Sequence, residues 1–245
     1  MRRHPRDKET EGTSRFEELQ RLSAENDSET IRQLERRQRA TDDFFDAARR
    51  AAAAEREVRA ARAMADVSGS DLSLVALDAY WRAAQAIALE QPECGVSWWA
   101  LAGIGRTESR HGRFGGRSVG IDGQVDSPVI GIPLDGTRAT RVISDTDGGR
   151  LDGDVVFDRA VGPMQFIPST WSRWGADLSG NGVADPQNFY DATLSAARYL
   201  CAYGPGLDTD DGLRRAFFGY NRSLSYVETV LDRSHGYRDA GFPLG

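Results

Sequence analysis

The chain predicts a mainly helical fold with one small β excursion, preceded by a charged helical extension. Three observations carry this. Apolar residues recur at three- and four-residue spacing in successive segments, a Gly- and Asp-rich stretch interrupts them over 113–160, and the N-terminal tract is rich in Arg, Glu and Ala but poor in large apolar side chains. The expected organisation is an extension over 1–68, helical or partly disordered, and a globular domain over 69–245.

Composition narrows the function classes. At 245 residues, 40% hydrophobic and with five tryptophans, the chain can bury a real core. A net charge of −6 and a pI near 5.2 leave no basic face for nucleic acid. His4, His111 and His235 with Cys94 and Cys201 make no zinc-type cluster. No apolar run reaches membrane-spanning length, and no signal peptide is visible behind Arg2-Arg3. Cys94 and Cys201 form a disulfide in an exported protein, or two buried thiols in the cytosol.

The elements follow in order. From Ser28 to Ala65 nothing breaks a helix, and the run Ala51 to Ala54 favours one. Its apolar positions (Ile31, Leu34, Phe44, Phe45, Val58, Met64) are too sparse for a strong heptad, so it reads as a solvated helix offering a surface for self-association or a protein partner. A break falls at Ser68, Gly69 and Ser70. Leu74, Leu77, Trp81, Ala84 and Ala88 trace one helical face that stops before Pro92. Residues 97–112 form the next helix, ending on Gly112 as a left-handed cap. Residues 113–160 read as a long loop with a small hairpin around Val129–Ile132, and excursions of that length are usually functional. Helices resume near Ser169, over 191–202, over 212–220 and over 225–233, the last opened by Ser225 and Glu228 as a capping box.

Glu108 continues the apolar stripe of Leu101, Ile104 and Gly105 by the next helical step. A carboxyl on an apolar face resists ionisation, and that is the state a general acid needs near neutral pH. The alternative is a helix-end glutamate paired with Arg106 or Arg110. Two further segments stand out. In Val161-Gly162-Pro163-Met164-Gln165-Phe166, Gly162 and Pro163 make a tight bend and Pro168-Ser169 starts a helix, as an ordinary loop-to-helix junction also would. In Phe218-Gly219-Tyr220-Asn221, Tyr220 continues the apolar face of Leu213, Ala216 and Phe217, which fits a core residue as well as a functional one.

Glu-Ser closing a helix, then Gly-x-Met-Gln-Phe, then aromatic-Gly-Tyr-Asn, in that order over roughly 72–235, resembles the lytic transglycosylases that cleave peptidoglycan, most closely the membrane-bound type B branch as found in actinobacteria. The resemblance implies a lysozyme-like, α+β but mostly helical fold, Glu108 as the single catalytic acid and base, and no required cofactor. It implies Ser109, Met164, Gln165, Phe166, Tyr220 and Asn221 as the substrate-binding set, and peptidoglycan glycan strands as the partner. The expected reaction cleaves the β-1,4 bond between N-acetylmuramic acid and N-acetylglucosamine and leaves a 1,6-anhydro ring. A lysozyme-type hydrolase, or a non-catalytic wall-binding protein on the same fold, is the alternative. Such a substrate implies an extracytoplasmic location and favours the disulfide.

Residues 177–188 resemble an EF-hand loop, with Asp177, Ser179 and Asn181 at positions one, three and five, Gly182 at six, the Val183 carbonyl at seven, Asp185 at nine and Asn188 at twelve. Type B transglycosylases carry a calcium loop here. Ser179 and Asn188 stand where carboxylates are expected, so two readings remain open: a structural calcium ion, or a cation-free turn held by Asx-type hydrogen bonds. The Asp-rich run 145–154 reads as a solvated hairpin.

Overall fold

The structure, a computed structural model, describes residues 5–64, 66–67, 70–138 and 140–240, the side chains of 5–14, 16, 19 and 59–64 excepted. Ala65 and the break at Ser68 and Gly69 lie outside the described residues. The chain divides into two units, Met1–Val58 and Arg59–Gly245.

Helix α1 (Pro5–Met64) starts well before Ser28 and runs through Gly12. Its face is laced with Arg–carboxylate pairs one turn apart, Arg21 with Glu18 and Glu25 among them, and water screens such exposed pairs so that they add little to stability. Leu22, Ile31, Leu34, Phe44, Phe45 and Val58 are all exposed, as the sparse apolar pattern requires.

In the second unit α2 (Leu74–Glu90) packs against α3 (Trp98–Ser109) and α5 (Phe189–Cys201), while α7 (Leu224–Asp239) packs along α3 and against α6 (Asp210–Tyr220); the short α4 (Pro168–Trp174) lies beside α5. The expected mainly helical fold with a small hairpin is what forms. Four of these helices, α2, α5, α6 and α7, start where a side chain accepts a first free N–H group: Ser73 from Ala76, Asn188 from Tyr190, Thr209 from Gly212 and Ser223 from Tyr226. The last is a correction. Ser223, two residues before the expected Ser225, caps α7, and Glu228 instead pairs with Arg214 across to α6.

The end of α3 also differs from the expectation. The helix closes at Ser109, with Arg110 and His111 as well as Gly112 in the left-handed region (φ 55°, 60° and 78°). For non-glycine residues that conformation is strained, so surrounding contacts must impose it. They do so through His111, which is 1% exposed and held between the hydroxyls of Tyr80 on α2 (2.9 Å) and Tyr237 on α7 (2.8 Å). Burial, with Arg106 and Arg113 nearby, drops its pKa to about 3, so the ring is neutral.

The excursion is a two-stranded antiparallel sheet of β1 (Ile130–Pro133) and β2 (Arg159–Val161), pairing Ile130 with Val161 and Pro133 with Arg159 across a one-residue irregularity. The loop between the strands is ordered by its own carboxylates. Asp145 accepts from the N–H groups of Asp147, Gly148 and Gly149, and buried Asp158 accepts from Thr146.

A Cys94–Cys201 disulfide joins the segment before α3 to the end of α5, with Cα atoms 5.4 Å apart, and Arg198 pairs with Glu90 (2.8 Å). Closing a loop of 107 residues restricts the unfolded chain, an effect of about 2–5 kcal/mol. Thiol titration of non-reduced protein is therefore expected to find no free sulfhydryl. Cys94→Ser with Cys201→Ser should lower unfolding free energy by about 2–5 kcal/mol in urea; an unchanged midpoint would show that the bridge is not what constrains these segments.

Candidate active site

Glu108 occupies the last turn of α3, following a stripe in which Leu101, Ile104 and Gly105 are all buried. The helix can lie this deep because its packing face is small: a methyl at Gly105 would collide with the Tyr80 hydroxyl. No ion pair reaches Glu108 among the described residues. Arg106 pairs instead with Asp71, which disposes of the helix-end salt bridge, and Arg110 is exposed. Among the described residues the one side chain that hydrogen-bonds the carboxyl group is Tyr226, whose hydroxyl donates to Oε1 at 2.6 Å. Desolvation raises the Glu108 pKa to about 7, and the Tyr226 hydrogen bond pulls the other way without cancelling it.

The turn Gly162–Phe166 forms the facing wall. Val161 and Phe166 exchange backbone hydrogen bonds (2.8 and 2.9 Å), and Gln165 donates its N–H to the Gly162 carbonyl. Gly162 is required twice over. Its φ is 77°, and a Cβ there would sit 1.7 Å from the Pro186 carbonyl oxygen. Gln165 follows at φ 51°, a strained position for a residue with a side chain, and its amide returns to the Gly162 carbonyl at 2.9 Å. The turn is fastened to the end of α3 by Ser109, whose hydroxyl donates to the Pro163 carbonyl at 2.6 Å and accepts from the Gly112 N–H at 2.7 Å.

Between these walls lies a cavity of about 220 Å³ lined by Glu108, Leu134, Ala160, Gln165, Phe166, Ile167, Thr170, Tyr199, Tyr220 and Asn221. The expected Glu108, Gln165, Phe166, Tyr220 and Asn221 thus come together. Ser109 and Met164 do not: both are buried (1% and 0% exposed) and absent from the lining. Ser109 is engaged by backbone groups, and Met164 packs beneath α3 near Gly105. Tyr220 donates to the Met164 carbonyl at 2.7 Å and not to the glutamate. Tyr226 is a partner that no pattern in the sequence marks. It lies in the first turn of α7, and no spacing rule links it to a residue far along the chain; only the packing of α7 on α3 reveals it.

The 177–188 loop departs from the twelve-residue scheme. Asp177 accepts from the N–H groups of Gly180 and Gly182, and Asn181 from Val183. The Asp185 carboxylate accepts from the Gln187 N–H and from the Gln124 side chain. Asn188 is turned away: its oxygen caps α5 and its amide donates to the Asp122 carbonyl. The carboxylate that the loop folds around is Asp191, fully buried and accepting from the N–H groups of Leu178, Ser179 and Asp185. Elsewhere among the described residues, Asp145, Asp147 and Asp158 bring carboxylate oxygens within 4.8 Å of one another.

Residues 157–207, which include the Gly162–Phe166 turn, match the family model of the transglycosylase SLT domain. No curated protein sequence matches the chain. Solved structures similar to it include the Escherichia coli lytic transglycosylase Slt35 in complex with bulgecin A and the same enzyme in complex with calcium, each at 15% identity and a TM-score of 0.45, over 71% of this chain and 76% of theirs. A 36 kDa muramidase/transglycosylase is similar at the same identity and TM-score, over 71% of this chain and 77% of its own. The domain match bears out the resemblance to transglycosylases drawn from the ordered motifs, and with it the expectation of a glycan-cleaving enzyme.

The raised pKa has a sign that stability can test. The neutral form of Glu108 favours the folded state; that contribution is fully present below the ordinary value of 4.5 and is lost as pH rises toward 7. Glu108→Gln removes the loss, so it should raise Tm at pH 8 and change it little at pH 4. An equal effect at both pH values would mean that the carboxyl is not desolvated.

Proposed function

We propose that the chain is a peptidoglycan lytic transglycosylase in which Glu108 acts alone, first as acid and then as base. The observation carrying this reading is that Glu108, with its pKa raised to about 7, is the sole acidic residue among the described residues that line its cavity. Glycosidases that use two carboxylates need a second one about 5–10 Å away. A substrate bearing its own nucleophile does not, and the N-acetyl group of N-acetylmuramic acid is such a nucleophile.

In this mechanism protonated Glu108 gives its proton to the oxygen of the β-1,4 bond as that bond to the muramic acid C1 breaks. The acetamido oxygen attacks C1 from the opposite face. The Glu108 carboxylate then takes the proton of the muramic 6-hydroxyl, and that oxygen closes on C1, displacing the acetamido oxygen to give the 1,6-anhydro ring. Each side chain then has a task consistent with its place. The Tyr226 hydrogen bond orients the carboxyl and stabilises it once ionised. Gln165 and Asn221 present amides to the sugar, and Phe166 and Tyr220 form an apolar wall. Ser109 and Met164, expected among the substrate contacts, fix the turn and support α3 from below.

The disulfide supports an extracytoplasmic location, where the wall itself lies. Among the described residues no helix is long and apolar enough to cross a membrane.

We further propose that the loop after Asp177 takes a structural calcium ion through Asp177, Ser179, Asn181 and the Val183 carbonyl, with Asp191 supplying the last carboxylate in place of Asn188. A fully buried Asp191 with no cationic side chain paired to it among the described residues supports this donor set. The ion would brace the loop behind the cavity and take no part in the reaction.

Digestion of purified sacculi should release anhydro-muropeptides, one water lighter than hydrolytic products by mass spectrometry. Glu108→Gln should cut the rate at least about a hundredfold, as loss of an acid-base group does. Reducing ends alone would make the enzyme a lysozyme-type hydrolase, and lysis surviving Glu108→Gln would remove this residue from the chemistry. Millimolar calcium should raise Tm by several degrees in the wild type and leave Asp191→Asn unchanged; a wild type indifferent to calcium and to chelator would leave the loop held by its hydrogen bonds alone.

A further inference from the structure

A second cavity, of about 670 Å³, opens on the other side of α3 from Glu108. Arg106 lines it, and a step of two residues along a helix turns a side chain by about 200°, so Arg106 and Glu108 leave α3 on opposite faces. Arg233 and Tyr237, one turn apart on α7, form a wall, and Asp66 and Asp71 from the segment before α2 complete it. Among the described residues this cavity and the catalytic one share no lining side chain. Its volume falls within the range of small-molecule sites, about 300–1,000 Å³.

The charges in this cavity do not balance. Asp71 pairs with Arg106, and Asp66 with Arg113 at 2.6 Å. Arg233 is left over. It is half-buried and donates one N–H to the Thr107 hydroxyl at 3.0 Å, and among the described residues no carboxylate meets it. A guanidinium carries five N–H donors in a planar fork, so most of them remain for a ligand. A cation partly withdrawn from water without a counter-ion is unfavourable, and an anion beside it relieves that cost. Two neighbours register the positive excess. Burial is the main cause at both, lowering the His111 pKa to about 3 and raising that of Tyr237 to about 12. At His111 the fields of Arg106, Arg113 and Arg233 add to the effect of burial and only Asp66 opposes them; at Tyr237 the same three arginines favour the phenolate. A locally positive cavity in a chain of net charge −6 is an anion site.

We propose that this cavity binds a small organic monocarboxylate, with its carboxylate paired to Arg233 and its body lying along α7 beside Tyr237. The planar fork of a guanidinium matches a carboxylate bidentately. Asp66 and Asp71 set the class of anion. One negative charge completes the balance of three guanidiniums and two carboxylates, whereas a phosphate dianion would exceed it and meet two aspartates at close range. The cavity has room for more than the carboxylate, because the α7 wall beyond Tyr237 is built from Gly236 and Ala240, which carry little side chain. This site stands independently of the transglycosylase reading.

The test follows the backbone amides of Gly236 and Ala240 by nitrogen–proton NMR at fixed pH and ionic strength. The probe is N-acetylglycine, and the control is N-acetylglycinamide, which has the same body without the charge. The probe should shift both amides saturably and the control should not. Arg233→Gln, which keeps an amide to meet Thr107, should raise the Kd by about tenfold or more, the effect of one charge-assisted contact. Arg233→Lys should retain part of the affinity, and an unchanged Tm confirms that both variants fold. Inorganic phosphate should bind more weakly than the probe. Absence of saturable shifts, equal shifts with the neutral control, or an affinity unchanged in Arg233→Gln would overturn the site. Phosphate binding as tightly as N-acetylglycine would overturn its assignment to monocarboxylates.

Discussion

The site depends on one buried contact, the hydrogen bond from the Ser109 hydroxyl to the Pro163 carbonyl. It joins the residue after Glu108 to the turn that faces it, so the carboxyl and the opposite wall are tied to each other by a short link beside the packing of Met164 under α3. The link is itself constrained from both sides. Ser109 also accepts the Gly112 N–H, which stabilises the left-handed exit from α3, and Pro163 sits in a turn whose Gly162 has no room for a Cβ. Losing the hydroxyl would leave a buried carbonyl without its donor, a cost of about 1–3 kcal/mol, and would free the wall to move away from the acid.

Burial then sets the electrostatics. Two effects compete at Glu108: removal from water favours the neutral acid, and the Tyr226 hydroxyl favours the carboxylate. Desolvation wins, but the tyrosine keeps the group within reach of ionisation, as the proposed release and recapture of a proton requires. A carboxyl with an arginine partner would have stayed ionised, and the geometry avoids this by pairing Arg106 with Asp71 on the far side of α3. The neutral His111, clamped by Tyr80 and Tyr237, fills the same corner without adding charge.

What could be read in the sequence was what periodicity and local chemistry encode. The helices α2, α3, α5, α6 and α7 and the apolar stripe leading to Glu108 all follow from spacing, and the turn Gly162–Phe166 follows from its glycine and proline. What was hidden depends on contacts distant in sequence. Tyr226 reaches Glu108 only because α7 packs on α3, and Ser109 and Met164 turn inward although their neighbours Glu108 and Gln165 face the cavity. The true cap of α7 and the exchange of Asn188 for Asp191 in the loop each turn on which of two polar side chains meets a free N–H group. Composition cannot decide that, because both candidates in each pair are chemically able to cap.

Glu108 is a desolvated carboxyl poised between its two protonation states near neutrality. A pH titration of the carboxyl followed by carbon NMR, in protein labelled at glutamate side chains and assigned by comparison with Glu108→Gln, measures this directly. The midpoint is expected near 7 and should move upward in Tyr226→Phe, since that hydrogen bond favours the ionised form. A midpoint near the ordinary value of 4.5 would contradict it.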